Sequence, residues 1–276
     1  MMKKYVVFCL LALSLFGCSS SKKSDKQIIT VSIEPLRYFT EQIVGDHFSV
    51  NTMVPKGGNP ETYEPTSQQM IRLSNSVLFI KVGNIGFERT WMKKLSQNAP
   101  NTIIMDSSKG ITPAVSNRGN IAPHTWMSTT SATVIAKNIC DALVKIDPKN
   151  SNVYKQNLDK LLKSIQETDK VVRQELAKKH ATSFLIYHPA LTYFARDYGL
   201  MQIPVEEEGH EPSAAQLENT IKLSKQNHVK VMFIQKEFIS RNTQIVSQGV
   251  GAESIEINPL SDNWHSEMID IAQKLK

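Results

Sequence analysis

Four residues of this 276-residue chain stand in loops at strand ends or ahead of helices and carry groups able to hold a metal ion: Glu61, His124, His188 and Asn258. His188 lies in Ser183–Leu200, SFLIYHPALTYFARDYGL. The apolar run Phe184–Tyr187 stops at it, Pro189 follows, and Leu191, Phe194 and Tyr198 then recur at helical spacing. The histidine is therefore expected at the carboxyl end of a strand and the start of a helix, where open α/β sheets bind ligands. A helix N-terminus disfavours imidazolium and so favours the neutral, metal-binding ring. Taken alone, such a histidine equally suits an N-cap or a core position.

The other three residues give it company. Val54–Thr66, VPKGGNPETYEPT, is a turn stiffened by Gly and Pro from which Glu61 projects. Ala122–Trp126, APHTW, presents His124 ahead of a helix starting near Ser131, and Asn258 closes an apolar strand at INPL. Two neutral imidazoles, one carboxylate, and either a water or Asn258 would make a four-coordinate site for a borderline-soft dication. Because both imidazoles must be neutral, binding is expected to weaken as pH falls through the histidine range.

Such a site needs a frame that brings four distant segments together. Strands are predicted over 28–33, 48–54, 77–81 and 102–105, and again over 184–187, 201–205, 230–235 and 254–258. Most are continuously apolar, as buried parallel strands are. Helices are predicted between them, among them 36–44, 68–73, 133–145, 213–226 and 264–274, with Thr66 and Gln69 forming a capping box for the second. Four βα units, an interruption and four more predict an α/β protein of two (β/α)4-like lobes.

The interruption predicts a connecting helix. Asp147-Pro148 reads as an N-cap followed by proline at the first helical position. No Gly or further Pro occurs up to Lys179, and Tyr154, Leu158, Leu161, Leu162, Ile165, Val172 and Leu176 mark one face. A helix of ~30 residues spans ~45 Å, enough to join two small lobes rigidly. The expected organisation is a signal segment 1–17, a tether 18–27, a first lobe 28–146, the helix 147–180 and a second lobe 181–276. The metal site belongs in the cleft between the lobes.

The N-terminus sets the compartment. Lys3 and Lys4 precede a short apolar run, Tyr5–Phe16, which ends in Gly17-Cys18. That is the anatomy of a secretory signal, and Leu15-Phe16-Gly17-Cys18 resembles a bacterial lipobox that would leave Cys18 lipidated. Ser19–Lys26 reads as a flexible polar tether. With Cys9 in the signal, only Cys140 remains, in an apolar helical run, so no disulfide is available to the mature domain. The formal charge of +6 comes from scattered lysines with no basic, aromatic-laced stripe, which argues against a nucleic-acid partner.

Together the motifs resemble the metal-binding lipoproteins that deliver zinc or manganese to bacterial ABC importers. The resemblance rests on NPETYEPT at 59–66, PHTW at 123–126, YHPALTYFARDYGL at 187–200, EEGHEPSAAQL at 207–217 and INPL at 257–260. It implies Glu61, His124, His188 and Asn258 as ligands, with Zn²⁺ expected and Mn²⁺ or Fe²⁺ as alternatives. The family usually has histidine at the position of Glu61 and often aspartate at that of Asn258. Histidine at 188 is typical of its zinc branch. The acidic loop Glu206, Glu207, Glu208, His210 and Glu211 reads as a solvated loop rather than a primary site.

The implied partners are a membrane permease and a separate ATPase, since no Walker motif is present. The expected state is a monomer, anchored to the membrane through Cys18 and facing the periplasm or the cell surface. A metal-dependent adhesin and a metallohydrolase are the alternatives from other classes. The hydrolase lacks HExxH and any evident general base other than Glu64.

Overall fold

The structure is a computed structural model describing residues 26–115, 119–206 and 211–276. The signal segment, Cys18, most of the tether, Glu207, Glu208 and His210 lie outside the described residues.

The first half contains β1 (Ile28–Val31), α1 (Glu34–Val44), β2 (Ser49–Thr52), α2 (Ser67–Ser74), β3 (Ser76–Lys81), α3 (Gly86–Asn98), β4 (Ile103–Asp106) and α4 (Thr129–Ile146). After α5 (Ser151–Ala177) come β5 (Ser183–Ile186), α6 (Thr192–Tyr198), β6 (Met201–Pro204), α7 (Ala214–Gln226), β7 (Val231–Gln235), α8 (Arg241–Val250), β8 (Glu253–Ile257) and α9 (Trp264–Lys274). The strands form two parallel sheets, β2-β1-β3-β4 and β6-β5-β7-β8.

Sequence and position in the sheet agree. The inner strands β5 (SFLI) and β7 (VMFIQ) are buried along their whole length, because helices cover both faces. The edge strands β2 (SVNT) and β8 (ESIEI) are more polar and more open. In both sheets the strand order reverses beside the first strand, between β1 and β3 and between β5 and β7. These are the points at which carboxyl-end crevices open.

The expected capping box is present: Gln69 N–H donates to Thr66 Oγ1 and Thr66 N–H donates to Gln69 Oε1. A second one, Ser213 with Gln216, starts α7. Helix α4 begins four residues earlier than predicted because Ser128 caps it, its Oγ accepting from Ser131 N–H.

The connecting helix differs at its start. Pro148 opens a 3-10 turn, Pro148–Asn150, and α5 begins at Ser151. Asp147 does not cap α5; its carboxylate accepts from Asn150 Nδ2 at 2.7 Å and Tyr154 OH at 2.6 Å. The 27 residues of α5 span ~40 Å. Tyr154, Leu161, Ile165 and Val172 are buried as the helix packs against α1, α4 and α9. One continuous apolar core runs from the first sheet through α5 into Phe184, Phe233, Trp264 and Met268. Buried Cys140 is a free thiol within it.

Two tryptophans tie the halves together. Trp126 Nε1 donates to Pro259 O at 2.7 Å, and Trp264 Nε1 donates to Trp126 O at 2.6 Å. Both side chains are buried, so their indole N–H groups need these partners.

Candidate metal centre

Glu61 reaches the site from the loop after β2. Asn59 Oδ1 accepts its N–H at 2.9 Å, and Pro60 O accepts Phe87 N–H at 2.9 Å, which pins the loop to the first turn of α3. Gly86 N–H, one of the unpaired donors of that turn, donates to Glu61 Oε2 at 3.0 Å. The helix end thus fixes the position of the carboxylate. The approach requires glycine: a Cβ on Gly86 would lie 2.2 Å from Glu61 O. With Oε2 so occupied, Glu61 Oε1 is left buried without a hydrogen-bond partner.

His124 is set by its neighbours in sequence. Ala122 O accepts from Tyr193 OH at 3.0 Å and the Trp126 indole is bonded to Pro259, so the segment is held to α6 on one side and to the loop after β8 on the other. Its ring, 5.2 Å from that of Trp126, belongs to a residue only 4 % exposed. Burial, and secondarily the nearby His188, push its pKa well below the usual histidine value, so it stays neutral. Its Nδ1 has no hydrogen-bond partner.

His188 follows β5 and is 7 % exposed. Its ring stacks on Phe238, with centroids 4.9 Å apart and planes 12° from parallel. Helix α6 begins only at Thr192, so the expected helix N-terminus does not adjoin the ring. A carboxylate does: Nδ1 lies 3.1 Å from Glu206 Oε1. An Nδ1–H donated to that oxygen directs the Nε2 lone pair into the cleft. There Nε2 is 3.2 Å from His124 Nε2. Two nitrogens each about 2.0–2.1 Å from one tetrahedral ion would stand about 3.3 Å apart, so the rings are already spaced as a ligand pair.

One donor atom from each of Glu61, His124 and His188 lies within 4.8 Å of the other two. The cavity they share has Trp126, Phe238, Pro259 and Leu260 among its walls and a volume of about 20 Å³. That accommodates a single ion or water, far below the ~300 Å³ or more of an organic-ligand pocket.

Asn258 is not brought to this cluster. It is exposed, its N–H donates to Glu267 Oε1, and its Oδ1 accepts from Leu260 N–H at 3.2 Å. It follows β8, beside the Pro259 and Leu260 that wall the cavity, but its side-chain oxygen is spent on the local turn. Glu206 corrects the reading of 206–211 as a solvated loop: it is 5 % exposed and sits against His188. The signal available was its place two residues past β6, on the strand beside β5. Gln235 and Phe238 were also missed, although both follow the reversal at β7.

The family model described as zinc-uptake complex component A, periplasmic, matches residues 29–275. The high-affinity zinc uptake system protein ZnuA of Bacillus subtilis (strain 168) is 28% identical over 278 residues, covering 92% of this chain and 86% of that protein. The iron ABC transporter substrate-binding lipoprotein MtsA of Streptococcus pyogenes serotype M1 is 28% identical over 262 residues, covering 89% of this chain and 83% of that one. A crystal structure of ZnuA superposes with a TM-score of 0.86 at 36% identity, covering 91% of this chain and 98% of the other.

Proposed function

We propose, from the premise that this chain belongs to the periplasmic zinc-uptake component A family, that its cargo is Zn²⁺, bound by Glu61, His124 and His188. Members of the family are metal-binding substrate-binding components of ABC importers, and this chain is one of them rather than an enzyme. Such a component works with a membrane permease and an ATPase. Among the described residues no helix is long and apolar enough to cross a membrane. In this reading Cys18 carries a lipid that holds a single chain at the extracytoplasmic face.

The observation that carries the proposal is the convergence of three metal-binding side chains on one small cavity. Glu61 Oε1 has no partner, and the two Nε2 atoms face each other. Without a cation, a carboxylate oxygen buried with no donor is costly. A dication supplies what Glu61 Oε1 lacks. Two imidazoles and one carboxylate suit borderline-soft Zn²⁺ in four-coordination.

Glu61 also favours the second reading. An oxygen donor suits Mn²⁺ or Fe²⁺ better than a third imidazole would, and one similar protein is named for iron.

Affinity in solution does not separate these readings, since N/O sites bind Zn²⁺ more tightly than Mn²⁺ or Fe²⁺ in general. Transport does. Cells lacking this chain should lose high-affinity uptake of radioactive Zn²⁺ and recover growth under chelation with added Zn²⁺ but not Mn²⁺. Loss of manganese or iron uptake with zinc uptake intact would overturn the zinc assignment.

A further inference from the structure

The three donors leave a four-coordinate ion one short, and Asn258, at the expected fourth position, is turned away. Among the residues lining the same cavity, three others carry a side-chain oxygen, Asn59, Gln235 and Glu237, and Asn59 Oδ1 already accepts from Glu61 N–H. Glu237 is exposed and can be hydrated. Gln235 is 3 % exposed, at the carboxyl end of β7, across the strand-order reversal from His188.

The orientation of the Gln235 amide follows from its partner. Nε2 donates to the main-chain carbonyl of His188 at 3.3 Å. The opposite rotamer would set oxygen against oxygen there. The carbonyl end is therefore the free end, and Oε1 is buried with no hydrogen-bond partner. A buried amide oxygen left unpaired costs on the order of 1–3 kcal/mol, so its retention inside a metal-sized cavity calls for an acceptor's counterpart.

We infer that Gln235 Oε1 is the fourth donor to the bound metal ion. The inference rests on the reading of Glu61, His124 and His188 as ligands. The same amide would then serve twice, fixing the His188 main chain through Nε2 and donating oxygen through Oε1. Its neutrality matters as well. With Gln235 as the fourth donor, Glu61 stays the one anionic ligand, and a neutral donor holds a cation less tightly than a carboxylate does. That suits a carrier that must release its cargo.

The test uses the detergent-solubilised full-length chain, titrated with Zn²⁺ against a competing chelator and with Co²⁺ by visible absorption. Gln235→Met keeps the volume and removes the oxygen. It should weaken Zn²⁺ binding at least ~10-fold, the scale seen when a metal site loses a supporting group, and alter the Co²⁺ d–d bands. Binding within about threefold of wild type with an unchanged Co²⁺ spectrum overturns the inference. If Gln235→Met does not fold, the wild-type chain decides: the Gln235 side-chain carbonyl carbon resonance should shift on Zn²⁺ loading in an NMR titration, and an unmoved resonance overturns the inference. Failure of the wild-type chain to bind either metal would instead sink the metal site itself.

Discussion

His188 Nδ1 and Glu206 Oε1 lie 3.1 Å apart, both side chains buried at the carboxyl ends of neighbouring strands. This pairing gives the proposed ligand His188 a fixed tautomer, with Nδ1–H on the carboxylate. The carboxylate accepts the Nδ1–H hydrogen bond, Phe238 fixes the ring plane, and Nε2 is left to face His124. Carboxylate–imidazole pairs of this kind orient metal ligands and raise their basicity.

Glu206→Ala should therefore weaken Zn²⁺ binding by roughly 10–100-fold, although Glu206 does not touch the ion. Glu206→Gln keeps an acceptor for Nδ1–H and should recover part of that loss. Chelator-competition titrations of the two variants check this. Equal affinities for wild type and Glu206→Ala would show that the tautomer is held by something else.

Gly86→Ala tests the support of Glu61 without changing a ligand. The new Cβ would meet Glu61 O at 2.2 Å, a backbone atom that cannot swing aside. The expected cost is about 1–3 kcal/mol of stability, together with weaker metal binding as Glu61 leaves the Gly86 N–H. Thermal melts and Zn²⁺ titrations read the two effects. A fully stable variant with wild-type affinity would mean that the helix end does not hold the carboxylate.

Much of this was legible in the sequence, for a physical reason. Inner parallel strands must be apolar on both faces, so β5 and β7 announce themselves, as does the one-sided 27-residue helix. Glu61, His124 and His188 stand out because their residue types are unusual beside such strands. Glu206 and Gln235 do not. A glutamate opening the run EEEGHE looks solvated, and only the pairing of β6 with β5 buries it against His188. Asn258 fails in the opposite direction. Its type and strand-end position suit a ligand, but which way an Asn side chain turns depends on a local contact, here Leu260 N–H. Likewise Asp147-Pro148 has the composition of a helix start, yet the Asp147 carboxylate is claimed by Tyr154 and Asn150.

Burial of His124 links metal-site architecture to stability. Its folded pKa lies well below the ordinary 6.5 of the unfolded chain, so the unfolded state binds more protons below that value. Its contribution is fully present above about pH 6.5 and is lost as pH falls toward the depressed folded value, by at most ~1.4 kcal/mol per pH unit. Urea unfolding of the metal-free protein between pH 7.5 and 5 should show this slope, and His124→Gln should flatten it. Parallel pH profiles for the two proteins would contradict a neutral, buried His124.

The most direct measurement is the metal content of the full-length chain after loading with Zn²⁺ and removal of excess ion, compared between wild type and His188→Ala. The account predicts about one Zn²⁺ per wild-type chain and loss of that stoichiometric ion in the variant, with the metal-free melting behaviour of the two compared to confirm that both are folded. Undiminished stoichiometric zinc in folded His188→Ala would contradict the placement of the site between Glu61, His124 and His188.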